Sequence, residues 1–116
     1  MGDRANVAVK HSETETVWLY SHWTGHRLWE SLRDALRRGR DRWDDAPYLT
    51  RIIFCQMIHD GGGALTDTIG FGISCSMTDS EWPVMLVDIE AEAVVVGSEL
   101  IPFREFCGLE VAPRKR

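Results

Sequence analysis

The residue types best suited to ligand chemistry occur together where a predicted strand ends and a helix is predicted to begin. Tyr20, His22, Trp23 and His26 bring two aromatic rings and two imidazoles to this junction. Aromatic faces stack on flat rings, imidazoles donate hydrogen bonds, and a helix N-terminus offers free N–H groups to an anion. The junction therefore predicts a pocket for a planar or phosphate-bearing ligand. The alternative is structural: Trp23 packs in the core, His22 bonds the backbone and His26 is exposed to solvent.

A second group of candidates lies in the charged connector between two predicted helices. Arg42, Trp43 and Arg51, with Tyr48 beside them, could contact a phosphate and a stacked ring, because guanidinium groups form planar forks and stack on aromatic faces. The alternative is pairing with neighbouring aspartates, of which Asp45 also caps the next helix. Those aspartates cancel much of the basic field, so nucleic acid is an unfavoured partner. One ligand site is predicted from both groups: Tyr20, His22, Trp23, His26, Arg42, Trp43 and Arg51.

Metal binding and covalent chemistry are not predicted. His22 and His26 have the four-residue spacing of helical zinc ligands, but a strand-to-helix break separates them and no nearby Glu or Cys completes a set. The chain has no Walker-type Gly-Lys-Ser/Thr, and its two lysines lie near its ends. We predict no cofactor, no metal and no enzymatic activity. A small hydrolase or nuclease that uses His22 or His26 with Asp44 or Asp45 is the least favoured alternative.

The three cysteines, Cys55, Cys75 and Cys107, are far apart and form no Cys-x-x-Cys pair. Each lies among apolar neighbours, which predicts small buried thiols in a reducing compartment. No run approaches the length of an apolar membrane span, and the first residues lack the apolar core of a signal peptide. These observations together predict a protein of the cytoplasm that does not enter a membrane.

Charge is distributed unevenly along the 116 residues, whose formal net charge is −5. Between residues 52 and 112, ten acidic residues face a single arginine. Some of these acids could form one acidic sheet end, namely Asp79, Glu81, Asp88, Glu90 and Glu92. Such a face could meet a basic host protein, and the alternative is a set of solvated turn carboxylates.

The elements that must position these residues are two periodic helices followed by a run of strands. Helices are predicted over 27–38, 45–59 and 102–107. Strands are predicted over 16–23, 69–74, 83–89 and 93–96. This order predicts an α+β fold: a four-stranded, mostly antiparallel sheet with two helices packed on one face and a short C-terminal helix. Thr24 is predicted to cap the first helix.

The predicted organisation is a flexible leader over the polar, aperiodic residues 1–15, a single α+β domain over 16–111, and a basic tail over 112–116. An open sheet edge and a small core favour association of the chain with copies of itself.

Four features together resemble small uncharacterised proteins of tailed phages and prophages. They are the Tyr-Ser-His-Trp-Thr-Gly run over 20–25, the amphipathic helix after it, the Gly-Phe-Gly-Ile strand over 70–73 and the Val/Leu-rich hairpin. Many of those proteins have an aromatic strand that ends in a His/aromatic-Asp-Gly-Tyr turn; here Thr24 stands for the Asp and His26 for the Tyr. The resemblance covers roughly residues 17–97 and implies an accessory protein that counters host defence.

The sequence therefore predicts a non-enzymatic accessory binding protein of phage type that sequesters a nucleotide-like signalling ligand. The alternative is a protein–protein inhibitor of a host defence protein, similar to an anti-CRISPR protein, that uses the acidic face.

Overall fold

The computed structural model describes residues 3–63 and 70–113. Along these ranges the chain forms six strands and three α-helices. The strands are β1 (Ala5–Ser12), β2 (Glu15–Ser21), β3 (Phe71–Ser74), β4 (Met85–Asp88), β5 (Ala93–Val96) and β6 (Glu99–Pro102). The helices are α1 (Leu28–Arg38), α2 (Ala46–Asp60) and α3 (Phe103–Phe106). Two 3-10 turns, Gly25–Arg27 and Arg40–Arg42, precede α1 and α2.

The six strands form one mixed sheet in the order β3-β2-β1-β4-β5-β6. β1 and β4 run parallel, with Val7 beside Met85, and every other neighbouring pair is antiparallel. The predicted α+β class is confirmed. The predicted count of four strands is wrong, because β1 and β6 were not expected to be strands.

β1 occupies much of the segment predicted to be a flexible leader, and it lies inside the sheet between β2 and β4. Its inward residues Ala5, Val7 and Val9 are buried in the core. Their alternation with Asn6 and Lys10 is a strand pattern, but these residues are small or polar and the surrounding segment is polar throughout. The leader prediction is therefore wrong for residues 5–12, while residues 1–2 lie outside the described ranges.

The residues of β6 were not assigned to a strand, and the predicted C-terminal helix over 102–107 followed them. Instead Gly97, with φ of 62°, closes a tight turn, and Glu99–Pro102 pairs back on β5 before α3 begins. Ile101 is the one side chain of this four-residue edge strand that is buried, so its hydrophobic signal is small. In the predicted strand over 69–74, Ile69 lies outside the described residues, as do residues 114–116 of the predicted basic tail.

Strands and helices share a single core on one face of the sheet. Val7, Leu19 and Val87 point from the central strands toward Leu32 of α1 and Ile53 of α2, and all five are fully buried. α1 and α2 therefore contribute to the same core as the central strands. Within the described ranges, no helix combines the length and apolar character that crossing a membrane requires.

A buried polar network joins α1 to α2 beside this core. Ser31 donates a hydrogen bond to one oxygen of Asp60 at 2.6 Å, and Gln56 donates to the other at 3.0 Å. Arg38 in turn donates to the amide oxygen of Gln56 at 2.5 Å. Burial alone would raise the pKa of Asp60, but the hydrogen bonds from Ser31, His59 and Gln56 outweigh it and lower that pKa.

Candidate ligand site

The seven residues predicted to share one site lie in two groups at opposite ends of β1. At one end, Asp3 hydrogen-bonds the ring and backbone of His26. At the other end, His11 hydrogen-bonds Thr50 of α2 at 2.9 Å, close to Arg51 in sequence. Asp3 and His11 are eight residue steps apart along the chain, which corresponds to about 26 Å of extended backbone. A single small ligand cannot reach both groups, so the prediction of one shared pocket is wrong.

The strand-end group brings Tyr20, His22 and Trp23 into contact. The Tyr20 hydroxyl and His22 Nδ1 lie 2.8 Å apart, and the His22 ring meets Trp23 edge to face at 5.0 Å between centroids. Trp23 is 52% exposed and covers Gly70, where a Cβ would lie 2.5 Å from the indole ring. The His22 backbone N–H donates to the Gly70 carbonyl at 2.9 Å. These side chains contact one another and Gly70, the residue directly before β3.

The helix start beside this cluster is already occupied by a carboxylate of the chain. Asp3 accepts hydrogen bonds from the His26 backbone N–H at 2.9 Å, from the His26 ring, and from the Trp82 indole N–H at 2.6 Å. Burial alone would raise the pKa of Asp3, but these hydrogen bonds outweigh it and hold that pKa below its usual value. Asp3 therefore takes the position where the sequence predicted an external anion.

Thr24 does not cap the helix as predicted. Its hydroxyl lies 2.6 Å from that of Ser21, and it makes no side-chain cap hydrogen bond. Gly25 is needed directly after it, because its backbone N–H donates to the Asp3 carbonyl at 2.8 Å and a Cβ would collide with that carbonyl.

The aspartates predicted to assist His22 or His26 in hydrolysis lie with the other group. Asp45 caps α2 by accepting a hydrogen bond from the Tyr48 backbone N–H at 3.3 Å, and Asp44 precedes it. The hydrolase alternative therefore loses its predicted acid–base pair. In the part of the chain that the structure describes, no three His, Cys, Asp or Glu side chains come together as metal ligands.

The connector group forms an open cleft around the ring of Tyr48. The Arg42 guanidinium lies 4.5 Å from the ring centroid and the Arg51 guanidinium 4.8 Å from it. Tyr48 is 40% exposed, so part of its ring surface meets solvent. The cleft measures about 280 Å³ and is lined by Arg38, Asp41, Arg42, Tyr48, Arg51 and Ile52.

Nearby carboxylates neutralise the charge of the cleft arginines only in part. Arg42 approaches Asp45 at 3.7 Å, as the internal-pairing alternative predicted, but both side chains remain largely exposed. Arg51 contacts the Cys55 sulfur at 3.9 Å, which raises the pKa of Arg51 above its usual range. Exposed ion pairs of this kind contribute little to stability, so the guanidinium groups remain available to a stronger anion.

Trp43 does not belong to this cleft, although it was predicted to. Its indole N–H donates to the Leu36 carbonyl at 2.9 Å, and its ring packs edge-on against Phe103 at 5.3 Å. The Arg40 guanidinium lies 5.6 Å above the ring. Trp43 therefore closes the end of the core between α1 and α3.

The acidic residues predicted to form one sheet end are divided between the two ends of β1. Arg4 binds Glu81 at 3.0 Å and approaches Asp79 at 3.7 Å. At the other end, Lys10 approaches Asp88 at 3.9 Å, and Glu90 and Glu92 follow in the next turn. The predicted continuous acidic face is therefore wrong. The cysteine prediction holds for Cys107, which is buried, but not for Cys55 and Cys75, which are exposed.

Sequence reasoning missed two residues that shape these sites. Arg38 was not among the predicted site residues. It lies in the last turn of α1, where the negative end of the helix dipole favours a basic side chain, and its place beside Tyr48 depends on how α1 and α2 pack. Asp3 was assigned to the leader.

No protein-family model matches the chain, and no match was found among curated proteins or among solved structures.

Proposed function

We propose that this protein binds and sequesters a small, planar, anionic ligand of nucleotide type in the cleft of Arg38, Arg42, Tyr48 and Arg51. The observation that carries the proposal is the stacking of two guanidinium groups, from Arg42 and Arg51, on one partly exposed tyrosine ring. Such a group combines a flat surface for a ring with planar forks for phosphate oxygens.

Binding needs only small side-chain movements. A flat ring can take the place of one guanidinium on the Tyr48 face, and the displaced arginine can then turn toward a phosphate. Arg42 gives up a 3.7 Å approach to Asp45, and Arg51 gives up a contact with a thiol. A phosphate offers both arginines shorter, charge-assisted hydrogen bonds in return.

The size of the cleft limits the ligand. The volume of about 280 Å³ lies just below the roughly 300–1,000 Å³ of typical small-molecule pockets. It suits a ligand of about mononucleotide size. Asp41 also lines the cleft, so its carboxylate disfavours ligands that carry negative charge on that side.

The wider role rests on the resemblance to phage accessory proteins. It supports a non-enzymatic protein that acts in the cytoplasm of an infected host and lowers the concentration of a defence signal by stoichiometric binding. The protein–protein inhibitor is a weaker alternative, because its acidic residues are divided between two ends of the sheet and several are paired with Arg4 or Lys10.

The proposal is tested by titration calorimetry with nucleoside monophosphates, cyclic nucleotides and ADP-ribose. We expect one ligand per chain, and roughly 10- to 100-fold weaker binding for Arg42→Ala or Arg51→Ala. Tyr48→Ala should also weaken binding, whereas Arg104→Ala, at an exposed arginine of α3, should not. Binding should weaken as salt rises, because it depends on exposed charges.

Two results would overturn the proposal. One is the absence of heat with every ligand in the panel. The other is binding that survives Tyr48→Ala and the arginine variants but is lost in Trp23→Ala, which would move the site to the strand-end cluster.

A further inference from the structure

The arginine-rich cleft around Tyr48 also contains the carboxylate of Asp41. Asp41 lies in the 3-10 turn Arg40–Arg42, and its side chain is exposed. Within residues 3–63 and 70–113, this carboxylate makes no hydrogen bond or ion pair, although three arginines line the same cleft. Its two oxygens are therefore free to accept hydrogen bonds from a bound ligand.

The position of Asp41 gives the cleft two differently charged sides. Arg51 belongs to α2, where its guanidinium contacts the Tyr48 ring and the Cys55 sulfur. Asp41 belongs to the turn before α2. A phosphate is attracted by the arginines and repelled by the Asp41 carboxylate. A bound nucleotide should therefore place its phosphate toward α2 and its base toward the turn.

A carboxylate at the edge of a base selects for two neighbouring hydrogen-bond donors, because it has two acceptor oxygens and no donor. Guanine presents such a pair, its N1–H and its N2 amino group. Adenine has an unprotonated N1 at the corresponding position, and the lone pair of that nitrogen would face the carboxylate. Neither cytosine nor uracil has two adjacent donors on this edge. Asp41 therefore favours guanine over the other common bases.

Arg38 can complement the acceptors of the same base. It lies in the last turn of α1 and lines the cleft. Its guanidinium donates to the Gln56 amide oxygen at 2.5 Å, and Gln56 in turn donates to Asp60 at 3.0 Å. A guanidinium that is held at one nitrogen keeps further N–H groups for a ligand, and guanine offers O6 and N7 to such a fork.

We infer that the cleft prefers a guanine nucleotide, whose base stacks on Tyr48 and donates its N1–H and N2–H groups to Asp41. This inference rests on the proposed function, because it assigns the base of the ligand in the same cleft. The base takes the place of the Arg42 guanidinium, which lies 4.5 Å from the ring centroid and follows Asp41 in the turn. Arg42 and Arg51 then bind the phosphate, and Arg38 binds O6 and N7.

Titration calorimetry with GMP, AMP and IMP, which share ribose and phosphate, tests the inference. GMP should bind at least about 5-fold more tightly than AMP, as a bidentate contact to one base requires. IMP keeps N1–H, O6 and N7 but lacks the N2 amino group, so it should bind about 3- to 10-fold more weakly than GMP.

Asp41→Asn should bring both ratios to within about 2-fold of unity without weakening AMP, because an amide has one acceptor oxygen and no charge to repel phosphate. Asp44→Asn is the matched control. Asp44 is an exposed aspartate of the same connector that does not line the cleft, and its variant should keep both preferences.

The outcomes distinguish this inference from the proposed function. Equal binding of GMP and AMP would overturn the guanine preference and leave the cleft as a nucleotide site, and so would a GMP preference that survives Asp41→Asn. Absence of binding with every nucleotide would overturn the proposed function and the inference together. The comparison of GMP with IMP uses the wild-type chain, so it decides the matter even if circular dichroism shows that Asp41→Asn is unfolded.

Discussion

The carboxylate of Asp3 accepts a hydrogen bond from the backbone N–H of His26 at 2.9 Å, across 23 residues of sequence. The same carboxylate accepts the Trp82 indole N–H at 2.6 Å. One side chain therefore joins the start of β1, the first turn before α1 and the segment that leads into β4. In most helices this capping group comes from the residue directly before the first turn.

Asp3→Ala should lower the free energy of unfolding by about 1–3 kcal/mol, because it removes a helix cap and leaves the Trp82 N–H without this acceptor. Urea denaturation at pH 7 measures the change. Asp44→Ala is the control, since Asp44 is an exposed aspartate of the connector and its loss should cost under about 0.5 kcal/mol. Equal stability of the two variants would contradict the capping role.

The free energy of unfolding should fall at acid pH, because Asp3 and Asp60 become protonated there. Hydrogen bonds lower the pKa of both carboxyls below the ordinary value of 3.8. A folded-state pKa below the unfolded-state pKa means that the stabilisation is complete above 3.8 and is lost as pH falls toward the folded-state pKa. Unfolding free energies measured from neutral to acid pH should therefore decline as the pH falls below about 4. The decline should be shallower in Asp3→Asn/Asp60→Asn, and equal slopes would refute the assignment.

Ser31 and Asp60 should prove energetically coupled. A double-mutant cycle with Ser31→Ala and Asp60→Ala should give a coupling of about 1–2 kcal/mol, because the 2.6 Å hydrogen bond is partly buried between two helices. A parallel cycle that pairs the exposed Ser98→Ala with Asp60→Ala should give none. Additive effects in the first cycle would show that the network contributes no pairwise stabilisation.

Variants of Trp43 and Tyr48 should show that the stability of the fold and the binding of ligand depend on different side chains. Trp43→Phe loses the hydrogen bond to the Leu36 carbonyl and should lower stability by about 1–2 kcal/mol. The variant should bind ligand as the wild-type chain does, because Trp43 packs against Phe103, away from the cleft. Tyr48→Ala should show the opposite result, with weaker binding and nearly unchanged stability. Thermal melts and calorimetry on the two variants provide the comparison.

Elements that depend on neighbouring residues were predictable from sequence. The cap of α2 is an example: Asp45 accepts the Tyr48 N–H, as its position before Ala-Pro indicated. The strand over 93–96 was placed correctly, because its valines form a continuous apolar run. Both predictions rest on interactions within a few residues.

β1 could not be recognised in the same way, because its stabilisation comes from distant partners. Val7 pairs with Met85 on one side and with Leu19 on the other. Its own residues are small or polar, so the local alternation is too weak a signal of the burial that these neighbours create. The candidate site shows the same limit of local information. Arg42, Tyr48 and Arg51 are close in sequence, and their predicted proximity is seen in the structure. The distance between these residues and His22 is set by the path of the chain across the sheet, which no local pattern gives.

The parallel pairing of β1 with β4 also sets the order in which the protein can be completed during synthesis. β1 and β2 leave the ribosome first, and β1 has its β2 neighbour at once. The other hydrogen-bonding edge of β1 receives its partner only after α1, α2 and β3 have been made. Until then a nascent chain presents an open strand edge beside an unfinished core, which is the kind of surface that chaperones protect. Translation pauses before β4 should therefore lower the yield of folded protein more than pauses after β5.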